Sequence, residues 1–148
     1  MAVMYDERLT APRSWWLLPV AAGLSLALIL LKFGAVPGLV GLLTGFVAAA
    51  VALSSYGSAR IRVVQGSLVA GQARIPVEAL GEALPLDAAE TVAWRSSKAD
   101  PRAFMLLRSY VRTALKVEVT DPADPTPYLY LSTRDPQALA AALDQARD

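Results

Sequence analysis

Two uninterrupted apolar runs lie near the start of the chain, and from Arg60 onward an alternation of apolar and polar positions replaces them. Residues 15–31 and 37–56 contain no charged side chain. At 1.5 Å of rise per residue they predict helices of about 26 and 30 Å, close to the thickness of a hydrocarbon core. Pro12 and Pro37 stand where these helices would begin, a position at which proline's missing N–H costs little. The link over 33–36 is short, so the pattern predicts an antiparallel transmembrane hairpin.

The ends of the runs carry the residues that interfaces favour. Trp15, Trp16 and Tyr56 fall at one predicted membrane face, and Lys32 with Phe33 at the other. Gly38, Gly41 and Gly45 form a small-residue stripe on the second run, with Gly23 and Ala27 as a matching patch on the first. Such stripes let backbones approach closely in lipid. This one either closes the hairpin itself or serves a homodimer. Arg8 and Arg13 precede the first run, Arg60 and Arg62 follow the second, and the connecting loop offers only Lys32. The positive-inside rule then predicts a two-pass protein of the inner (plasma) membrane with both termini cytoplasmic. The first run exceeds a typical signal-peptide core and lacks a small-x-small cleavage site, so an uncleaved span is expected. Neither run contains Asp, Glu or Arg, which fits an anchor in the bilayer rather than a transport path.

Beyond the hairpin the period is two, the signature of half-buried strands. Strands are expected over 60–63, 68–70, 73–77, 80–86, 103–108, 114–120 and 128–132, with turns at Gln65-Gly66-Ser67, at Gly71-Gln72 and through the DPADPTP segment. Asp87 with Glu90 reads as a capping box opening a short helix over 87–96. Asp135-Pro136 opens a terminal helix with an apolar stripe of Leu139, Ala142, Leu143 and Ala146. The expected organisation is an N-terminal segment 1–14, a hairpin 15–56 and an α+β domain 57–148. That domain would be one small bent antiparallel sheet of about seven strands with a C-terminal helix.

Composition narrows the chemistry. The 148 residues contain no cysteine and no histidine. Disulfides, Cys/His zinc sites and His-dependent nucleophilic catalysis are thereby excluded. A net charge of +1 gives no general attraction for nucleic acid. No cofactor is expected, and an enzyme is the least favoured class.

One stretch is locally basic: Arg95, Lys98, Arg102, Arg108, Arg112 and Lys116, interleaved with Trp94, Phe104 and Tyr110 and opposed there only by Asp100. Under a membrane such a surface would meet anionic phospholipid headgroups, and its arginines with Tyr110 would hold a phosphate or carboxylate. The competing reading is a solvated face, because the segment from Gly57 onward balances eleven basic against eleven acidic residues. Asp121 and Asp124 are read as turn formers rather than calcium ligands, and Tyr128 with Tyr130 as cross-strand packing.

The phrases IRVVQGSLVAGQARIPVEALGEALPLD and YLSTRDPQALAAAL give the domain a pattern that resembles a bacterial pleckstrin-homology-like domain. YDERL before WW, the ARIRV and ARIPV runs, RSYVRTALKVEV and DPADPTPYLYLSTR resemble a family of two-span actinobacterial membrane proteins known only as a domain of unknown function. That resemblance implies no active site. The expected role is a membrane-anchored interaction or scaffold module with an unidentified membrane or cytoplasmic protein partner. The alternative is a sensor of anionic lipid or of a phosphorylated ligand through the basic stretch.

Overall fold

The computed structural model describes residues 3–148. They form two units, one made of residues 10–58 and the other of residues 3–9 together with 59–148.

The smaller unit is the helical hairpin. A 3-10 turn over Arg13–Trp16 leads into α1 (Leu17–Leu30), a second 3-10 turn over Leu31–Phe33 ends it, and α2 (Ala35–Tyr56) returns. The first helical stretch is thus not uniform, and Pro19 is the reason. It has no N–H to give the Trp15 carbonyl, so the regular α-helix starts late enough to place proline in its first turn. Pro37 likewise stands at the third position of α2, where a backbone donor is unpaired in any case. Gly34, with φ of 126°, makes the reversal between the helices.

The glycine stripe faces α1. A Cβ on Gly41 would lie 2.9 Å from the Leu26 carbonyl oxygen, one on Gly45 2.9 Å from that of Ala22, and one on Gly23 2.8 Å from that of Leu42. Gly38 differs, because its nearest obstacle is the end of the Leu31 side chain at 2.7 Å. Trp15 and Tyr56 stack at one end of the hairpin with centroids 6.2 Å apart, and Lys32 lies 4.9 Å from the Phe33 ring at the other.

The larger unit contains eight strands in two sheets rather than the expected single sheet of about seven. The extra strand is β1 (Val3–Arg8), in a segment whose alternation is too short and too charged to be read as a strand. It pairs antiparallel with β2 (Arg60–Val64), which continues through β3 (Ser67–Ala70) to β4 (Ala73–Pro76). The second sheet is built from β5 (Leu80–Leu86), β6 (Phe104–Leu106), β7 (Ala114–Val119) and β8 (Tyr128–Ser132), in the order β5-β7-β8-β6. It is mixed, not wholly antiparallel, since β6 runs parallel to β8. The segment between β5 and β6 includes α3 (Ala88–Trp94), which opens on the expected capping box. Asp87 Oδ1 accepts from Glu90 N–H at 2.8 Å and the Glu90 carboxylate accepts from Asp87 N–H at 3.4 Å. The chain ends in α4 (Pro136–Arg147), whose first turn is capped by Asp135 accepting from Ala138 N–H at 3.0 Å.

The main core joins both sheets to α4. Ile61, Val63 and Leu68 from the first sheet meet Leu115, Val117, Leu129 and Leu131 from the second, with Leu139 and Leu143 from α4. At the end of this core the two ends of the chain are tied by polar groups. Glu7 accepts from the Tyr5 hydroxyl at 2.9 Å, the Thr133 hydroxyl at 2.5 Å and the Arg134 N–H at 2.9 Å. Thr133 is fully buried, so this carboxylate satisfies a hydroxyl that water cannot reach.

Gly45→Leu should lower the stability of the detergent-solubilised hairpin toward SDS by about 2 kcal/mol, since a backbone carbonyl cannot step aside. Gly38→Ala should cost less than about 1 kcal/mol, because a leucine end can rotate; equal losses would show that the stripe does not set the helix separation. Burial chiefly pushes the Tyr5 phenol from 10.0 up to about 12, and neighbouring Glu7 adds to the shift. The unfolded chain then loses this proton before the folded one, so stability falls as pH rises from about 10 to about 12. Tyr5→Phe should flatten the denaturation midpoint over that window relative to the parent chain.

Candidate functional site

The basic residues read from the sequence fall into three local settings. The first is built on the far face of the second sheet from the main core. There Leu86, Ala114, Tyr128 and Tyr130 form a second cluster, covered by Trp94, Ala103, Met105 and Leu107. Trp94 meets Tyr128 edge-on, with centroids 5.5 Å apart and planes at 75°. Lys116 alternates onto this face, opposite Tyr130 in the ladder, and its ammonium lies 4.3 Å from the Trp94 centroid and 5.3 Å from that of Tyr128. Glu118 Oε1 stands 3.9 Å from the same ammonium, and the Lys116 side chain is only 16% exposed. Lys98 approaches Trp94 at 5.4 Å. Arg95 lies near Tyr130, whose phenol is pushed up by burial and partly drawn back by that guanidinium. Cation–π contact explains why lysines and aromatics alternate here.

The second setting is the loop before β6. Arg102 is paired with Asp100 at 3.1 Å, and its backbone N–H donates to the same carboxylate at 2.9 Å. These bonds hold Asp100 below its ordinary range and raise Arg102. Both groups face solvent, so the pair adds little to stability.

The third is the 107–113 loop. Arg108 donates from its backbone to Ser132 Oγ at 3.0 Å and from its guanidinium to the Leu107 carbonyl at 2.8 Å. The Tyr110 hydroxyl donates to the Leu9 carbonyl at 2.6 Å, and its ring packs on the main core. Arg112 is exposed, with no hydrogen bond or ion pair among the described residues. Of the seven predicted residues, Lys98 and Lys116 converge on Trp94, Arg95 sits by Tyr130, Arg102 has its own acid, and Arg108 and Tyr110 brace a loop. In the β7–β8 connection Asp121 accepts from Ala123 N–H and Asp124 from Thr126 N–H, each at 2.9 Å, and the latter bond lowers the Asp124 carboxyl. Both carboxylates hold turns, as read from the sequence.

A different basic surface is assembled by strand register and is not visible along the sequence. The outward residues of the first sheet run Asp6, Arg62, Val69, Arg74 as direct cross-strand partners over all four strands. Arg8 and Arg60 form the neighbouring pair on the same face. The Asp6 carboxylate is taken by Arg60, at 2.5 Å, rather than by its direct partner Arg62. Arg62 and Arg74 flank a depression of about 180 Å³ that Val64, Gln65 and Val69 complete. The available signal was the alternation of Arg60 with Arg62, but only strand order places Arg74 in the same row.

A family model described as Protein of unknown function (DUF3093) matches residues 4–143. The chain belongs to the DUF3093 family. This family match begins inside β1 and ends inside α4, so hairpin and sheets together make up the unit that DUF3093 describes. No curated protein and no solved structure matches the chain.

Removing Trp94 by Trp94→Ala should destabilise the larger unit by about 3 kcal/mol, since it uncovers the second cluster. Arg102→Gln should leave the denaturation midpoint essentially unchanged, because its ion pair is exposed to solvent. Chemical denaturation followed by circular dichroism distinguishes the two settings.

Proposed function

We propose that this protein is a two-span inner-membrane protein whose larger unit lies on the cytoplasmic side and serves as a non-enzymatic interaction module. The observation that carries the placement of both flanks on one side is a strand pair. Arg8 and Arg60 are ladder partners, and Leu9 N–H donates to the Ala59 carbonyl at 2.8 Å. The chain therefore leaves and rejoins the folded unit at neighbouring points, so both flanks of the hairpin belong on one side of a bilayer. Two alternative readings of the apolar helices fit less well. A core helix of a soluble protein would be covered, yet Leu17, Leu28 and Val36 are 69%, 71% and 73% exposed. A cleaved signal peptide would take away β1, an integral strand of the first sheet.

The interaction reading draws on exposed apolar residues in the larger unit. Leu84 on edge strand β5 and Val92 on α3 are 42% and 49% exposed. Pro85, an irregular register between Leu80 and Ala83, and the Arg147 guanidinium on the Leu80 and Gly81 carbonyls all blunt that edge against strand addition. Side chains, rather than a free ladder, would make the contact. A pleckstrin-homology-like likeness is supported by two sheets with a terminal helix, and the parallel β6–β8 pair departs from it. The anionic-lipid alternative through Arg108 and Arg112 draws its support from the exposure of Arg112.

The absence of native cysteine makes the topology directly testable. A single cysteine at Lys32→Cys should react with a membrane-impermeant maleimide on intact cells, whereas Ser97→Cys and Asp148→Cys should react only after permeabilisation. The opposite pattern would refute the topology. Photo-cross-linkers at Leu84 and Val92 should yield one discrete heterologous protein adduct; lipid adducts alone would favour the lipid alternative.

A further inference from the structure

We propose that Arg62 and Arg74 form a binding site for a phosphomonoester group on the exposed face of the first sheet. The site is independent of the partner-binding reading above, as it uses neither Leu84 nor Val92.

Placement comes first. Neighbouring strands are spaced about 4.8 Å apart, so two arginines separated only by Val69 have backbones roughly 10 Å apart. Both side chains are exposed and leave the same face, with a short apolar residue between them. Two guanidinium arms of that reach can converge over Val69 on one anion. The depression between them, about 180 Å³, has room for a phosphate group.

Charge points the same way. Arg60, Arg102, Lys116 and Arg147 each have a carboxylate within 4.0 Å, whereas Arg62 and Arg74 have no ion pair or hydrogen bond among the described residues. Asp6 is the acid best placed to neutralise Arg62, and Arg60 occupies it. The face carries Arg8, Arg60, Arg62 and Arg74 against that one carboxylate, so an incoming anion meets an uncompensated positive field. One planar guanidinium already saturates a carboxylate through its two oxygens; two guanidiniums match the larger acceptor set of a phosphate dianion.

The rim adds a third observation. The β2–β3 turn holds Gln65 at φ of 53° beside Gly66 at 68°. Gln65 lines the depression, and a side-chain amide is an N–H donor of the kind a phosphate oxygen accepts.

The phosphate could belong to a lipid headgroup or to a free metabolite, and two arms separate these. Full-length protein in neutral detergent micelles is titrated calorimetrically with glycerol 3-phosphate. The same protein in nanodiscs is titrated with short-chain phosphatidic acid at physiological salt. Binding of one equivalent in the first arm identifies a soluble phosphomonoester, and binding in the second arm alone identifies a headgroup. In the arm that binds, Arg62→Gln and Arg74→Gln should each weaken affinity about tenfold or more, and Arg112→Gln should leave it unchanged. Arg74→Lys should recover only part of it, because an ammonium keeps the charge but not the fork. Thermal midpoints close to that of the parent chain confirm that the variants fold, and Arg74→Lys provides the comparison if Arg74→Gln does not. Absence of binding in both arms, or binding indifferent to Arg62 and Arg74, overturns the proposal.

Discussion

The pairing of β1 with β2 is the constraint on which the rest depends. These strands are neighbours in a ladder, yet residues 10–58 lie between them in the chain. Closing a flexible loop of that length would cost about 3.5 kcal/mol beyond a constant term. A rigid antiparallel hairpin removes most of that cost, because its own ends already meet at the Trp15–Tyr56 stack. Close contact between α1 and α2 therefore lowers the entropic cost of pairing β1 with β2. The glycines at 23, 41 and 45 act through backbone proximity within the hairpin. The network around Glu7 makes β1 indispensable from the other direction, since it binds Thr133 and Arg134 at the entrance to α4. Neither end of the larger unit is complete without the other.

The second sheet explains how the basic residues are used. All five residues of β8 are buried, so this strand lies covered on both faces. One face belongs to the main core, and the other needs a lid, which α3 and the loop after it supply. Lys98 and Lys116 lie against Trp94 because a half-buried indole at the rim of a lid attracts cations. A dense run of basic residues in sequence thus becomes several short-range contacts rather than one field. The first sheet reverses this relation. Its arginines are spread thinly along the chain, and the flat row of cross-strand partners gathers them.

Much of the local structure was legible in the residues. The capping box of Asp87 and Glu90, the Asp135-Pro136 start of α4 and the turn carboxylates Asp121 and Asp124 are encoded within four residues, and each holds in the structure. The seven strands expected beyond the hairpin are all present, because alternation reports burial directly. What could not be read is what depends on distant partners. Residues 3–8 carry three charges in a row of six and become a strand only because β2 offers an edge and Thr133 offers Glu7 a buried donor. The parallel docking of β6 on β8 has no local signature, and neither has the division into two sheets. The seven residues of the basic stretch are close along the chain, and a two-faced sheet scatters them; Arg62 and Arg74 are joined by register, which proximity cannot show.

The same ladder that closes the hairpin also sets the electrostatics of the first sheet. Asp6 can neutralise only one arginine well, and it lies between Arg60, which is diagonal to it, and Arg62, which is opposite. Its bond to Arg60 reinforces the end of the ladder nearest the hairpin, where the strands would otherwise fray into the connecting segments. That choice leaves Arg62 uncompensated one step further in. An exposed ion pair contributes little energy by itself, so the arrangement matters less for stability than for where positive charge remains. The arginine paired with Asp6 and the arginine that gives the sheet its open charge are therefore neighbours on β2, separated by the single buried side chain of Ile61. An anion gripped between Arg62 and Arg74 would tie β2 to β4 across β3 and reinforce the same strand that receives the chain from α2.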